Sequence, residues 1–416
     1  MNTSGILAIN VFPWDLDAEG IDKGLEDIRS LECNRVLVSV NYHRCRMFRP
    51  RDPSMGFHYR PFDFLDFEPD TSLYGPDCPL PPVNTGAAGR GLVRRIREAC
   101  GRAGVEFTAS VIGCHNTSMG LAWPRLTACN FVGDRYAFAL CPANPEVRAY
   151  LRALVEDVCR QFSPGAILLD SFTYLGTVHR EHHELMFVRP GLVGEHLLSL
   201  CFCRHCEAAA AAGGVDIVRL KALVRSLLSR LLAREGADAH DPDREGLAAL
   251  LFEYPELYAF EQARRQVVTS LLAEIRDITK TCSVGLDSIS GLLARPCTRS
   301  WTEGSALQDR AALCDHIYLQ SYFQRTNMVA EDLRWAVAAL PSSQIVLANM
   351  VGESHIASCA ELKERVLLAA EAGLAGVSYY NYGLLNPMRL GWLREANQAL
   401  APAHLHETNR ERRVVQ

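Results

Sequence analysis

Two sequence patterns are missing from this chain of 416 residues: a basic stripe that could bind nucleic acid and an apolar run that could span a membrane. No basic stripe interleaved with aromatic residues occurs, and the formal net charge is only -5, so we expect no nucleic-acid partner and no anionic membrane partner. No uninterrupted apolar run reaches the ~20 residues that a membrane span needs. The first apolar run, from Ile6, is broken by Asn10 and Pro13 and lacks a basic leader, so we expect a cytoplasmic location.

A glycine-rich phosphate-binding fingerprint is also absent after the first predicted strand, which argues against an open doubly wound sheet. What is present is a regular alternation of β-rich runs and amphipathic stretches. Eight strands are predicted, at residues 6–12, 35–42, 105–112, 166–169, 283–286, 316–321, 345–349 and 376–380. Helix-forming sequence separates most of them, so the sequence predicts an α/β fold, a (β/α)8 TIM barrel with long insertions after strands 2, 3 and 4.

The predicted domain organisation is simple. Residues 1–400 form one barrel domain, in which residues 171–254 are an insertion with a His-rich loop and a cysteine cluster. Residues 401–416 are polar, and we expect them to be a loose C-terminal tail.

Polar and aromatic residues follow nearly every predicted strand at its carboxyl end, where TIM barrels carry their active sites. Loops are polar in all proteins, so some of these residues would be expected without a function. As substrate-binding residues the pattern predicts Trp14, Asp15, Tyr42, His43, His115, Asn116, Tyr174, Gln320, Tyr322 and Asn381.

Asp170 is the strongest catalytic candidate, because it directly follows an apolar strand where an unused carboxylate would be costly. Glu353 and Asp287 are the candidates for a second carboxylate. A pair of carboxyl groups across a barrel mouth is typical of glycoside cleavage. Asp170 could instead cap a helix or form a structural ion pair, and Glu353 or Asp287 could merely cap the following segment.

Two further clusters lie in the insertion after strand four. His179 and His183 belong to a run of three histidines that is predicted to bind substrate, with a metal site or a solvated loop as alternatives. Cys201, Cys203 and Cys206 form a CxCxxC pattern that favours a structural zinc ion, with reduced thiols or a disulfide as alternatives. Catalysis itself is expected to require no cofactor.

Five segments carry a resemblance to a known group of proteins: INVFPWD at 9–15, VNYHRCRMFRPRDP at 40–53, LCPANPEVRAY at 140–150, LLDSFTY at 168–174 and LCFCRHC at 200–206. Together they resemble the uncharacterised barrel proteins classed as hypothetical glycoside hydrolases, which are distantly similar to α-amylase and α-L-fucosidase barrels. The resemblance implies a (β/α)8 fold and places Asp170 in the position of the nucleophile. Leu168 stands where the amylase pattern has arginine, so amylase activity is not expected.

The leading hypothesis is a glycoside hydrolase or transglycosidase acting on a small glycoside, with Asp170 as nucleophile and Glu353 or Asp287 as general acid/base. One alternative is a metal-assisted isomerase, lyase or amidohydrolase that uses His43, His115 and the histidine run. Another is a sugar-binding barrel without catalysis. The sequence leaves open whether the chain forms a homo-oligomer.

Overall fold

Eight parallel strands close into a barrel in the computed structural model, which describes residues 5–52, 55–177, 188, 190–233, 244–291 and 296–411. Each strand pairs with its neighbours in the chain, and the first strand pairs with both the second and the last. This arrangement confirms the predicted (β/α)8 TIM barrel. The barrel strands are β1 (Ile6–Val11), β2 (Arg35–Ser39), β3 (Glu106–Ile112), β4 (Ala166–Asp170), β5 (Gly285–Ile289), β6 (His316–Leu319), β7 (Ile345–Met350) and β8 (Gly376–Tyr380).

Helices surround the barrel and fill the excursions between strands. In chain order they are α1 (Pro13–Glu19), α2 (Ile21–Ser30), α3 (Thr85–Gly89), α4 (Leu92–Ala103), α5 (Thr117–Ala122), α6 (Pro145–Phe162), α7 (Gly191–Ser199), α8 (Arg204–Ala212), α9 (Ile217–Leu232), α10 (Arg244–Glu253), α11 (Pro255–Thr281), α12 (Leu307–Leu313), α13 (Thr326–Ala339), α14 (Cys359–Glu371) and α15 (Pro387–Glu411). No helix among the described residues is long and apolar enough to cross a membrane.

Local sequence explains where these elements begin and end. The side chain of Asn144 caps α6 by accepting a hydrogen bond from the backbone N–H of Glu146, and Pro145 follows at the first helical position. Gly104 ends α4 in the left-handed conformation, at φ 65°, which glycine adopts without a steric cost.

The long excursions after β2 and β3 fold back as antiparallel hairpins. After β2, Cys45–Phe48 pairs with Phe57–Arg60. After β3, Thr127–Cys129 pairs with Arg135–Leu140. The segment after β4 carries α7 to α10, which pack around their own apolar cluster with the start of α11.

Side chains alternate between the inside of the barrel and the surrounding helices, as a period of two residues requires. One interior layer is apolar, formed by Ala8, Leu37, Leu168, Ile289, Tyr318 and Val346. The alternation therefore brings the next inward-facing residue of each strand to the carboxyl end of the barrel.

Most strand ends differ from the predicted ones by one to three residues; β2, for example, ends at Ser39 and not at position 42. β5 runs to Ile289, beyond the predicted end at position 286, because Ser288 and Ile289 continue the parallel pairing with β6. α15 extends to Glu411, past position 400, where the predicted tail begins.

Candidate functional site

A cavity of about 100 Å³ lies at the carboxyl ends of the barrel strands. Seven of the eight strands contribute to its lining, and β6 is represented by Gln320, the residue that directly follows it. The lining residues are Asn10, Ser39, Tyr42, His43, Ser110, Ile112, His115, Asp170, Ser171, Ile289, Gln320, Tyr322, Met350 and Tyr380. The cavity is smaller than the roughly 300–1,000 Å³ typical of drug-sized ligand pockets, so it suits one small group better than a polymer.

Asp170 ends β4 and supplies the one carboxylate among the described residues that line this cavity. Burial raises the pKa of its carboxyl group, while the hydroxyl of Ser171 and the charge of Arg310 act in the opposite direction. Ser171 Oγ donates to Asp170 Oδ1 at 2.8 Å. Ser171 itself has φ 59°, a left-handed conformation that is strained for serine and that clusters at functional sites.

Hydroxyl groups surround the carboxylate. Tyr42 and Tyr380 share a hydrogen bond of 2.8 Å between their phenol oxygens. Burial raises the pKa of both phenols and of Tyr322, and the charge of Asp170 contributes to each rise. These tyrosines therefore stay neutral and offer hydroxyl groups beside Asp170.

Two histidines form another part of the wall. The rings of His43 and His115 pack with centroids 4.3 Å apart, and His43 also packs on Tyr42 at 4.1 Å. Burial lowers the pKa of His43, which favours the neutral imidazole. No group of metal-ligand side chains was found at this mouth within the part of the chain that the structure describes.

Trp14 and Asp15 lie just after β1, at the start of α1, and both are buried. Burial raises the pKa of Asp15 to about 7. Asp15 Oδ2 and Trp14 Nε1 have no hydrogen-bond partner among the described residues, which is unusual because burying an unpaired polar atom costs about 1–3 kcal/mol. The charge of Asp15 reaches Tyr380, so Asp15 and Asp170 both act on the same phenol.

Asp287 does not reach the cavity. It lies in the middle of β5 and points to the opposite end of the barrel, where Oδ2 accepts from Arg35 at 3.1 Å and Oδ1 lies 3.0 Å from His316 Nδ1. Its side chain is 1% exposed. The prediction placed Asp287 past the end of its strand, but the strand is longer and Ile289 takes the position at the mouth.

Glu353 is also outside the cavity. It is exposed in a turn three residues after the end of β7, so it does not face Asp170 across the mouth. Neither predicted partner of Asp170 is therefore in position.

Five of the predicted substrate-binding residues that the structure describes do not line the cavity: Trp14, Asp15 and three residues with structural contacts elsewhere. Asn116 caps α5 by accepting from the N–H of Met119, and Asn381 accepts from the N–H of Gly383. Tyr174 is buried behind the wall, where its hydroxyl lies 3.4 Å from Cys206 Sγ. His179 and His183 lie outside the described residues.

Eight lining residues were not predicted: Asn10, Ser39, Ser110, Ile112, Ser171, Ile289, Met350 and Tyr380. Most of them are inside strands or at their last residue, whereas the prediction took residues past the strand ends. Counting back by two from each strand end would have found several, because inward-facing positions recur with that period.

Glu303 and Arg310 were also not predicted, and both are buried. Arg310 Nη1 donates to the carbonyl oxygen of Ile289 at 3.0 Å, and its charge acts on both Asp170 and Glu303. Glu303 lies beside the segment after β4, where its carbonyl accepts from the N–H of Tyr174 at 3.1 Å. A second buried carboxylate is thus linked electrostatically to the surroundings of Asp170.

The predicted cysteine cluster converges with a fourth cysteine. The sulfur atoms of Cys201, Cys203 and Cys206 lie with that of Cys141 within 4.8 Å of one another, and all four residues are buried. Cys141 directly follows the hairpin after β3, so two separate excursions meet at this cluster.

Solved structures of glycoside hydrolases share this architecture. The PgaB (BpsB) glycoside hydrolase domain from Bordetella bronchiseptica is similar at a TM-score of 0.58 and 13% identity, over 94% of this chain and 99% of that one. The α-L-fucosidase isoenzyme 2 from Paenibacillus thiaminolyticus is similar at a TM-score of 0.54 and 10% identity, over 95% of this chain and 49% of that one. The catalytic domain of β-amylase from Paenibacillus polymyxa is similar at a TM-score of 0.54 and 10% identity, over 94% of this chain and 97% of that one.

No protein-family model and no curated protein matches the chain in sequence. At identities of 10–13% the likeness concerns the fold. The chain is therefore a (β/α)8 barrel whose structural neighbours are glycoside hydrolases.

Proposed function

We propose that this chain is a glycoside hydrolase or transglycosidase that acts on a small glycoside, with Asp170 as nucleophile. The observation that carries the proposal is the position of Asp170: one carboxylate, at the end of β4, in a small cavity at the carboxyl ends of the barrel strands. The fold shared with glycoside hydrolases supports the same reaction class.

A second carboxyl group must protonate the leaving oxygen. Asp15 does not line the cavity, but it is buried just after β1 and its charge acts on Tyr380, which does line it, so Asp15 is the best candidate. Its pKa of about 7 keeps part of it protonated near neutral pH, as a general acid requires. Glu303 is the competing candidate, because it is buried and shares the electrostatic influence of Arg310 with Asp170.

The reaction then proceeds in two displacements. An oxygen of Asp170 attacks the anomeric carbon and forms an ester, while the bond to the leaving oxygen breaks and that oxygen takes the proton of Asp15. In the second step water gives its proton to the Asp15 carboxylate and attacks the same carbon. The ester bond breaks, Asp170 is regenerated, and a sugar acceptor in place of water gives transglycosylation.

The surrounding hydroxyl groups have a role in binding. Neutral Tyr42, Tyr322 and Tyr380 can donate to sugar oxygens, and neutral His43 can accept from or donate to them. The small volume of the cavity favours one sugar ring over a polysaccharide chain.

The proposal is tested with a panel of aryl and natural glycosides and two variants. We expect Asp170→Asn to lower kcat on any hydrolysed glycoside by on the order of a thousandfold or more, because it removes the nucleophile. Glu353→Gln is the matched control, since this exposed carboxylate lies outside the cavity, and it should retain full turnover. Full turnover by Asp170→Asn would contradict the proposal, and binding of a sugar without any product would favour a sugar-binding barrel.

Leaving-group dependence separates the two acid candidates. The variant that lacks the general acid should lose far more turnover on alkyl glycosides than on dinitrophenyl glycosides, whose leaving group needs no proton. We expect this difference for Asp15→Asn and not for Glu303→Gln. The opposite result would assign the acid role to Glu303.

A further inference from the structure

Four cysteines that are far apart in the sequence place their sulfur atoms together. Cys141 Sγ lies 3.5 Å from Cys203 Sγ, 3.4 Å from Cys206 Sγ and 3.8 Å from Cys201 Sγ. These separations are too long for a disulfide, whose sulfur atoms lie ~2.05 Å apart. They agree with a tetrahedral ion at ~2.3 Å from each thiolate, for which neighbouring sulfur atoms lie about 3.8 Å apart.

The cluster is buried from solvent and supplies four sulfur ligands. All four cysteines are at most 6% exposed. A structural zinc site has four protein ligands and no open position, whereas a catalytic site keeps one free. Four buried thiolates match the structural type.

The surroundings suit the net negative charge of zinc with four thiolates. Cys203 occupies the N-cap position of α8, so the positive end of this nine-residue helix points toward the cluster. The hydroxyl of Tyr174 lies 3.4 Å from Cys206 Sγ, and the guanidinium of Arg264 lies 4.6 Å from the centre of the Tyr174 ring. Positive charge and hydrogen-bond donors thus approach the sulfur atoms from two directions.

We propose that Cys141, Cys201, Cys203 and Cys206 bind one structural zinc ion that joins the excursion after β3 to the excursion after β4. The backbone already connects these segments next to the cluster, where Phe202 N donates to Cys129 O at 2.7 Å. Tyr174 follows Asp170 by four residues and its hydroxyl lies 3.4 Å from Cys206 Sγ, so the ion also anchors the segment behind Asp170. The site stands independently of the proposed hydrolase reaction.

Metal analysis of the purified chain tests the site. We expect one zinc per chain in the wild-type protein, less than a tenth of that in Cys203→Ser, and full zinc in Cys100→Ser. Cys100 is the matched control because it is a buried free cysteine in α4 and is not one of the four ligands. Zinc-free wild-type protein, iron in place of zinc, or full zinc in Cys203→Ser would overturn the proposal.

A second measurement uses the wild-type chain alone and so does not depend on whether a variant folds. A mercurial reagent that titrates thiols should release one equivalent of zinc to a chromogenic chelator, and cobalt substitution should give the charge-transfer absorption of a tetrathiolate. Release of no metal by the mercurial would contradict the assignment. Loss of hydrolase activity in a chain that still holds zinc would concern the proposed function and not this site.

Discussion

Asp15 shows how burial sets the chemistry of a single carboxyl group. With a pKa of about 7 it would be mostly protonated below neutral pH and mostly ionised above it. As a general acid it is active in the protonated form. We therefore expect kcat/KM to fall as the pH rises through about 7.

The pH profile of Asp15→Asn checks this expectation. In the variant kcat/KM should no longer fall as the pH rises through about 7, because the titrating group is gone. Its turnover on glycosides with poor leaving groups should also be mostly lost, because no general acid is left. A decrease that persists unchanged in the variant would mean that another group controls the alkaline limb.

The same shift makes folding stability depend on pH. The folded pKa of about 7 lies above the ordinary value of 3.8, so the folded chain keeps a proton that the unfolded chain has released between these pH values. This contribution to stability is complete below the ordinary pKa and is lost as the pH rises through about 7. In total it corresponds to about 4 kcal/mol at most.

Comparison of melting temperatures makes this measurable. The difference in Tm between Asp15→Asn and wild type should increase in favour of the variant from about pH 5 to about pH 8, since asparagine cannot ionise. A difference that stays constant over this range would show that Asp15 is not a buried carboxyl with a raised pKa.

Gly383 keeps Asp15 in place by having no side chain. A Cβ at this position would lie 1.8 Å from Asp15 Oδ2. We expect Gly383→Ala to lower the free energy of unfolding by about 1–3 kcal/mol, because the carboxyl group must shift. Gly391→Ala is the matched control, since a Cβ there meets nothing within 4 Å, and it should be neutral or slightly stabilising. Equal effects of both substitutions, measured by urea denaturation, would contradict the packing of Asp15 against Gly383.

At the scale of elements, the inward-facing charges of β2 and β5 hold the amino-terminal end of the barrel together. Asp287 pairs with Arg35 across the barrel, and the Arg35 side chain is 11% exposed. Breaking such a buried pair leaves an uncompensated charge. Arg35 retains Glu106 at 3.0 Å, which moderates the loss.

We therefore expect Asp287→Asn to lower the free energy of unfolding by about 2–4 kcal/mol while the folded variant keeps its kcat. Asp22→Asn, which removes an exposed ion pair with Arg102, should cause no measurable change. Urea denaturation and turnover measured at low temperature check both variants. A large loss of kcat in folded Asp287→Asn would return this residue to the catalytic candidates.

Element positions could be predicted from the sequence, but the ends of elements could not. Apolar periodicity located all eight strands, and β8 was predicted with its observed bounds. The last three residues of β5 were not predicted, because the polar residues Asp287 and Ser288 interrupt the apolar pattern although they are buried. An error of three residues in a strand end is large enough to place Asp287 at the mouth in the prediction, although it lies near the opposite end of the barrel in the structure.

The candidate site was predicted in part for the same reason. Asp170 was found because it ends a wholly apolar strand. Asn10, Ser39 and Ser110 were not found, because inward-facing polar residues within strands have no local signal. Cys141 could not be assigned to the cysteine cluster, since its partners are about sixty positions away and meet it only through tertiary structure.

At the scale of the whole molecule, closure of the barrel is what gathers the site. Strands that are hundreds of residues apart in the chain bring their carboxyl ends to one cavity, where Asn10 of β1 and Tyr380 of β8 line the same space. The fold is shared with glycoside hydrolases at low identity, so the chemistry depends on the residues that this chain places there. Among these residues Asp170 is the proposed nucleophile.

Covalent trapping tests that claim most directly. A fluorinated glycosyl donor of the preferred sugar, which slows release of the covalent intermediate, is incubated with the protein, and the labelled peptide is identified by mass spectrometry. The account predicts one glycosyl group per chain, attached to the side chain of Asp170. Attachment to a different carboxylate, or hydrolysis with inversion at the anomeric carbon and no label, would contradict it.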